Sequence, residues 1–221
     1  MSYKDVVVKK PWGKEYLVYE NENLGIWFLH IEKDQSTSTH CHPKKNTGLV
    51  VLEGLAEVSF LKNMISLKGV DKIMIFKGRF HSTQALSPGG ALILEVESPQ
   101  DKRDLVRLED KYGREKQPYE SAKYEFPKDE TCVWFEDPSD EDKNIYNFCN
   151  CTVIVENIKS DAKLKERQFD ESIIILRGGL ISDNNDPIVQ KGDVIAGHTI
   201  NKLSNFFKVA ENTTFMTIRR E

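Results

Sequence analysis

The apolar residues of this 221-residue chain fall in short runs bounded by Gly, Asn, Asp and Pro, rather than in the three-and-four spacing of an amphipathic helix. The main runs are Ile26–Ile31, Leu49–Leu52, Ile73–Phe76, Ala91–Val96, Val153–Val155, Ile173–Leu176 and Phe215–Ile218. Runs of this length between turn formers predict many short strands, and hence an all-β sandwich or barrel. Charge thickens around Asp101–Tyr112, which predicts a short helix or a charged loop.

The pattern also repeats. Thr47–Val58, Lys68–His81 and Ala91–Ser98 are answered in the second half by Glu171–Ser182, Gln190–Thr199 and Thr213–Arg220. Each copy runs apolar strand, Gly turn, strand, Lys-Gly turn, strand, Gly and His, strand. Two homologous β-domains in tandem follow from this self-similarity, over 1–118 and 143–221. The stretch between them is rich in charge and Tyr and is broken by Pro118, Pro127 and Pro138, so 119–142 reads as a linker or a wrapping arm.

Composition narrows the function classes. With 39% hydrophobic and 30% charged residues the chain has material for packed cores, which excludes global disorder. A net charge of -4 without a long Lys/Arg run gives no footprint for nucleic acid or a membrane surface, and neither is expected as a partner. No apolar stretch approaches the roughly 18 residues of a membrane span, and the opening MSYKDVVVKKPWGKEY has no signal core, so a cytoplasmic location is expected. Cys41, Cys132, Cys149 and Cys151 are too few and too uneven for a disulfide framework and read as free thiols. The Cys149-x-Cys151 spacing is tighter than a zinc pair and has no second pair to complete it.

The residues with the clearest chemistry are His40 and His42, followed much later by His81. Two residues apart on a strand, the first two imidazoles face the same side, and a neighbouring strand can bring His81 beside them. Three neutral imidazoles suit Zn, Fe, Mn, Ni or Cu and leave positions for water or substrate.

The order H-x-H, apolar strand, Gly54, then G-x-x-H at Gly78–His81 resembles the two motifs of the cupin superfamily, and the whole chain resembles a bicupin. Two further segments resemble the cupin-type, or type II, mannose-6-phosphate isomerase domain: KPWGKEYLVYE at Lys10–Glu20 and LILEVESPQDKRDLVRLEDKYGR at Leu92–Arg114. That resemblance implies two tandem cupin (double-stranded β-helix, jelly-roll) barrels and a divalent ion held by His40, His42 and His81. Zn is the first expectation, with Mn, Fe or Ni as alternatives. It further implies interconversion of an aldose phosphate and a ketose phosphate, a small-molecule sugar phosphate as partner, and a homodimer. Catalytic roles are expected for Glu95 and Lys45, and substrate contacts for Lys44, Arg107, Tyr112 and Arg114. Strand alternation alone leaves Glu95 free to point in or out. Two rival readings are a non-catalytic sugar or sugar-nucleotide binding bicupin and a cupin oxygenase or lyase using Fe or Mn.

This chain departs from the family at the position of its metal carboxylate, which is Thr47 here, and at the Pro before G-x-x-H, which is Phe76. In the second copy the counterparts of His40 and His42 are Leu164 and Glu166, while Glu171 stands at the place of Thr47 and His198 near that of His81. That copy reads as a degenerate cupin without the ion site.

Overall fold

The computed structural model describes residues 3–117, 119, 124–139 and 143–221. The first half contributes β1 (Val6–Lys10), β2 (Gly13–Glu20), β3 (Gly25–Ile31), β4 (Thr39–Cys41), β5 (Asn46–Glu53), β6 (Leu55–Phe60), β7 (Met64–Lys68), β8 (Lys72–Ile75), β9 (His81–Ala85), β10 (Ala91–Ser98) and β11 (Val106–Glu109). After β12 (Glu125–Pro127) the second half adds β13 (Lys143–Phe148), β14 (Cys151–Ile158), α1 (Ala162–Lys165), β15 (Ser172–Arg177), β16 (Gly179–Ile181), β17 (Pro187–Gln190), β18 (Val194–Ala196), α2 (Gly197–Leu203), β19 (Lys208–Val209) and β20 (Thr213–Arg220). Every apolar run named from the sequence lies on one of these strands, except that Phe76 falls one residue past β8.

The strands form two tandem cupin barrels. In the first, the sheet β12-β1-β2-β3-β10-β5-β8 faces the sheet β11-β4-β9-β6-β7. In the second, β13-β14-β20-β15-β18 faces β17-β16-β19. The order β3-β10-β5-β8 is repeated as β14-β20-β15-β18, and β7-β6-β9 as β17-β16-β19, so the repeat in the sequence is a repeat of topology. Both copies turn at glycine. Gly54 adopts φ +87, where a Cβ would stand 2.3 Å from the Gly90 carbonyl oxygen, and Gly178 adopts φ +63 against Thr213.

Strand alternation explains why the runs are continuously apolar. On β5, Leu49 and Val51 point into the first barrel while Val50 and Leu52 point out of it; on β10, Ile93 points in while Leu94 and Val96 point out. The outward residues are not solvated. They share one core with Val153, Val155, Ile174, Met216 and Ile218 of the second barrel, so the two large sheets pack face to face. Strands buried on both faces lose the polar alternation that a solvated face would impose.

The stretch between the repeats runs over this seam. β12 pairs with β1, the Phe135 amide donates to the Val18 carbonyl at 2.7 Å, and the Phe135 ring is fully buried in the shared core. Residues 118, 120–123 and 140–142 of the expected linker and its boundaries lie outside the described residues.

One expectation is corrected. Asp101–Tyr112 is neither helix nor plain loop. A turn in which the Arg103 amide donates to Asp101 leads into β11, which pairs with β4, and satisfying the edge of β4 outweighs the local charge pattern. The strand expected after Gly197 and His198 is β20, and α2 stands between, where the pattern assigned no element. At seven residues this helix is too short to stand on its own propensity, and it is held by the fully buried Ile200. No helix among the described residues is long and apolar enough to cross a membrane.

Candidate metal centre and its charged pocket

His40 lies on β4 and His42 just past its end, while His81 opens β9 directly opposite His40. Hairpin-like pairing thus does what spacing alone left open. One ligand atom from each of the three rings lies within 4.8 Å of the others, and all three residues are buried. The ring centroids are 4.5 to 5.6 Å apart.

Each ring is turned by a backbone carbonyl. His40 Nδ1–H donates to Ser38 O at 2.7 Å, His42 Nδ1–H to Asp104 O at 2.6 Å, and His81 Nδ1–H to Arg79 O at 3.0 Å. A carbonyl oxygen can only accept, so the proton sits on Nδ1 and the Nε2 lone pair is left for an ion. Burial, chiefly, pushes all three rings toward the neutral form: His42 down to about 3, His81 down to about 4, and His40 well below its ordinary value. His42 Nε2 is buried without a hydrogen-bond partner. Three oriented, neutral imidazoles with an unsatisfied nitrogen fit a divalent transition ion.

Asp104 deserves its place in the site, although the histidine pattern gave no reason to select it. Its carbonyl orients His42, and its carboxylate accepts from the Lys44 and Lys45 amides at 2.8 and 3.0 Å, which fixes the loop after the H-x-H.

His40 and His42 border a pocket whose wall includes Glu95, Glu97, Lys45, Lys102, Arg107 and Arg114. Glu95 and Glu97 both point inward, on the same face as Ile93. Lys45 Nζ donates to Glu97 at 2.8 Å and to the Asp101 carbonyl at 2.9 Å. Lys102 lies 3.0 Å from Glu97 and 3.4 Å from both Glu95 and Glu15, with its ammonium 3.9 Å from the centre of the Trp27 ring. Burial pushes the Glu95 carboxyl up, and Glu97 and Glu15 add to the rise while Lys102 opposes it. Burial pushes Glu97 the same way, but Lys102 and then Lys45 overcome it and hold Glu97 at about 2. Burial alone would lower the Lys102 ammonium, yet Glu15, Glu97 and Glu95 together raise it. Neighbouring carboxyls on one strand are thus driven in opposite directions.

The other residues singled out from the sequence divide. Arg107 lines the pocket and pairs across strands with His40, and Arg114 lines it while forked onto Asp110 at 2.7 and 3.1 Å. Lys44 is exposed and stands outside the lining, as does Tyr112, whose hydroxyl donates to Gln35 at 2.9 Å. Sequence reasoning missed Glu97, Lys102, Glu15, Lys10 and Tyr119. Lys10 and Glu15 pair at 3.4 Å, and the Tyr119 hydroxyl donates to Glu15. For Glu97 the signal was present: two residues after Glu95, it had to share its face. Lys102 follows the strand and carries no such mark.

The second barrel differs at this place. Leu164 lies on α1, fully buried in that barrel's core, and Glu166 caps the helix end, so the sequence counterpart of β4 is a helix. His198 lies on α2 and stacks on Phe169 with ring centres 4.6 Å apart.

Residues 2–110 match the family described as mannose-6-phosphate isomerase C-terminal. The match spans the first barrel, just under half of the chain, and includes His40, His42, His81 and Glu95. Among curated proteins none matches. Among solved structures, a conserved protein with a double-stranded β-helix domain from Klebsiella pneumoniae aligns with TM-score 0.40 and 19% identity, covering 50% of this chain and 90% of that one. A cupin-2 domain protein from Shewanella frigidimarina aligns with TM-score 0.35 and 19% identity over 39% of this chain and 79% of that one. A cupin-superfamily sugar phosphate isomerase from Silicibacter pomeroyi aligns with TM-score 0.34 and 16% identity over 35% and 52%. The first barrel is therefore similar in sequence to the mannose-6-phosphate isomerase C-terminal family.

Proposed function

We propose that the chain is a divalent-metal-dependent isomerase interconverting an aldose phosphate and a ketose phosphate. The observation that carries this reading is the cluster of three carbonyl-oriented histidines, two of which border a pocket that Glu95 also lines, within the segment that matches the isomerase family. His40, His42 and His81 would hold the ion, with zinc as the first candidate. A bound divalent ion supplies Lewis-acid polarisation of sugar oxygens.

The remaining work falls to the chain's own groups. Isomerisation removes a proton from C2 and returns one to C1, and Glu95 is the group suited to carry it, because a carboxyl with a raised pKa both accepts and releases protons nearer neutrality. Lys102, 3.4 Å away, stands ready to stabilise the carboxylate form. Lys45 and Lys102 hold Glu97 as a fixed anion, which keeps the two carboxyls in separate roles. Arg107 and Arg114 take the phosphate, for which a guanidinium fork is better shaped than an ammonium.

The test is turnover of a panel of hexose and pentose phosphates by the metal-loaded full chain in deuterium oxide, followed by deuterium entry at the isomerising carbon. The expected result is exchange and turnover, lost in His42→Ala and reduced roughly 100- to 10,000-fold in Glu95→Gln. Saturable sugar binding without exchange in fully loaded protein would overturn the isomerase and support a binding bicupin.

A further inference from the structure

Among the described residues of the first barrel, the buried side-chain atoms without a hydrogen-bond partner include His42 Nε2, Thr47 Oγ1 and Glu97 Oε2. Thr47 and Glu97 are direct cross-strand partners on β5 and β10, each 1% exposed. Such partners share a face, with Cβ atoms roughly 4.5–5.5 Å apart. Both lysines that neutralise Glu97 use its Oε1, Lys45 at 2.8 Å and Lys102 at 3.0 Å, so Oε2 is left over. Glu97 borders the same pocket as His42, and its charge reaches the His42 ring.

Leaving a buried polar atom unsatisfied costs about 1–3 kcal/mol, and native folds carry few of them. His42 and Glu97 border one pocket and Thr47 is the cross-strand partner of Glu97, which points to one common partner. A divalent ion on three neutral imidazoles would keep its full double charge in a pocket already holding Lys45 and Lys102, and a carboxylate with an unused oxygen answers that charge.

We propose that Glu97 is the carboxylate partner of the ion held by His40, His42 and His81, with its Oε2 and the Thr47 hydroxyl serving the ion's open side. This rests on the histidine reading above. The charge thus comes from β10, one strand across from Thr47.

Zinc titration calorimetry on the chelator-stripped full chain tests it, using Glu97→Gln, His42→Ala and the exchanged pair Thr47→Glu with Glu97→Gln, each checked for folding by circular dichroism. Glu97→Gln should weaken zinc by roughly 10- to 100-fold, and the exchanged pair should recover most of that loss, because it returns one carboxylate to the same cross-strand site. Cobalt substitution should show a shifted visible spectrum in Glu97→Gln. Zinc affinity in Glu97→Gln within about twofold of the parent, with His42→Ala deficient, overturns the role of Glu97 and leaves the histidines standing. Unchanged binding in His42→Ala as well overturns both. If Glu97→Gln does not fold, the exchanged pair carries the test: parent-like affinity supports the proposal and lost affinity overturns it.

Discussion

The two barrels share the order of four strands in their large sheets and of three in their small ones, yet among the described residues only the first has a pocket bordered by oriented histidines. In the first barrel β4 sits between β9 and β11 and carries His40, so its face is available for polar chemistry. In the second barrel the corresponding stretch is α1, and together with α2 it drives Leu164 and Ile200 into the interior, both fully buried. A shared scaffold therefore fixes the walls, while the segment laid across the mouth decides whether the interior is a site or a core.

The contrast can be broken most forcefully at the seam the barrels share. Phe135→Ala removes a fully buried ring from the common core and should cost about 3–5 kcal/mol in urea unfolding. Both halves should lose stability together; a first barrel that melts unchanged would mean that the seam does not couple them.

Filling can be separated from function next. Leu164→Ala should cost about 2–5 kcal/mol, because α1 is the plug of the second barrel, while leaving zinc affinity of the first unaltered. The reverse holds for His42→Ala. It should lower zinc affinity by about 100-fold or more, beyond the range seen for outer-shell partners, whereas His198→Ala should leave it unchanged. Equal loss in the two histidine variants would erase the difference between the barrels.

Acid sharpens the comparison further. Glu97 is held at about 2 in the folded chain, below the ordinary carboxylate value of about 4.3 in an unfolded one. A depressed folded pKa adds stability above the unfolded value, and that contribution is lost as the pH falls from about 4.3 toward 2. The slope of stability against pH in that window should be shallower in Glu97→Gln; an unchanged slope would show that the Lys45–Glu97–Lys102 cluster does not govern acid stability.

Sequence reading reached the fold and the triad by different routes. Turn-bounded apolar runs and the Gly54 and Gly178 turns made the strands and their repetition legible, because period and turn chemistry are local. His40 and His42 were legible through their spacing and His81 through resemblance. Glu97 was within reach of simple alternation once Glu95 had been singled out. Lys102 was not, since its role depends on a loop folding back over Trp27.

What the sequence by itself determined is therefore the all-β class, the tandem repeat and the residues able to bind an ion, all of which follow from near-neighbour pattern. Tertiary structure decided the rest. Cross-strand register put His81 opposite His40 and Glu97 opposite Thr47, backbone carbonyls chose the imidazole nitrogens, and helices closed the second barrel. Those outcomes depend on which distant segments share a sheet or a mouth, and burial there sets both the charges and the available space.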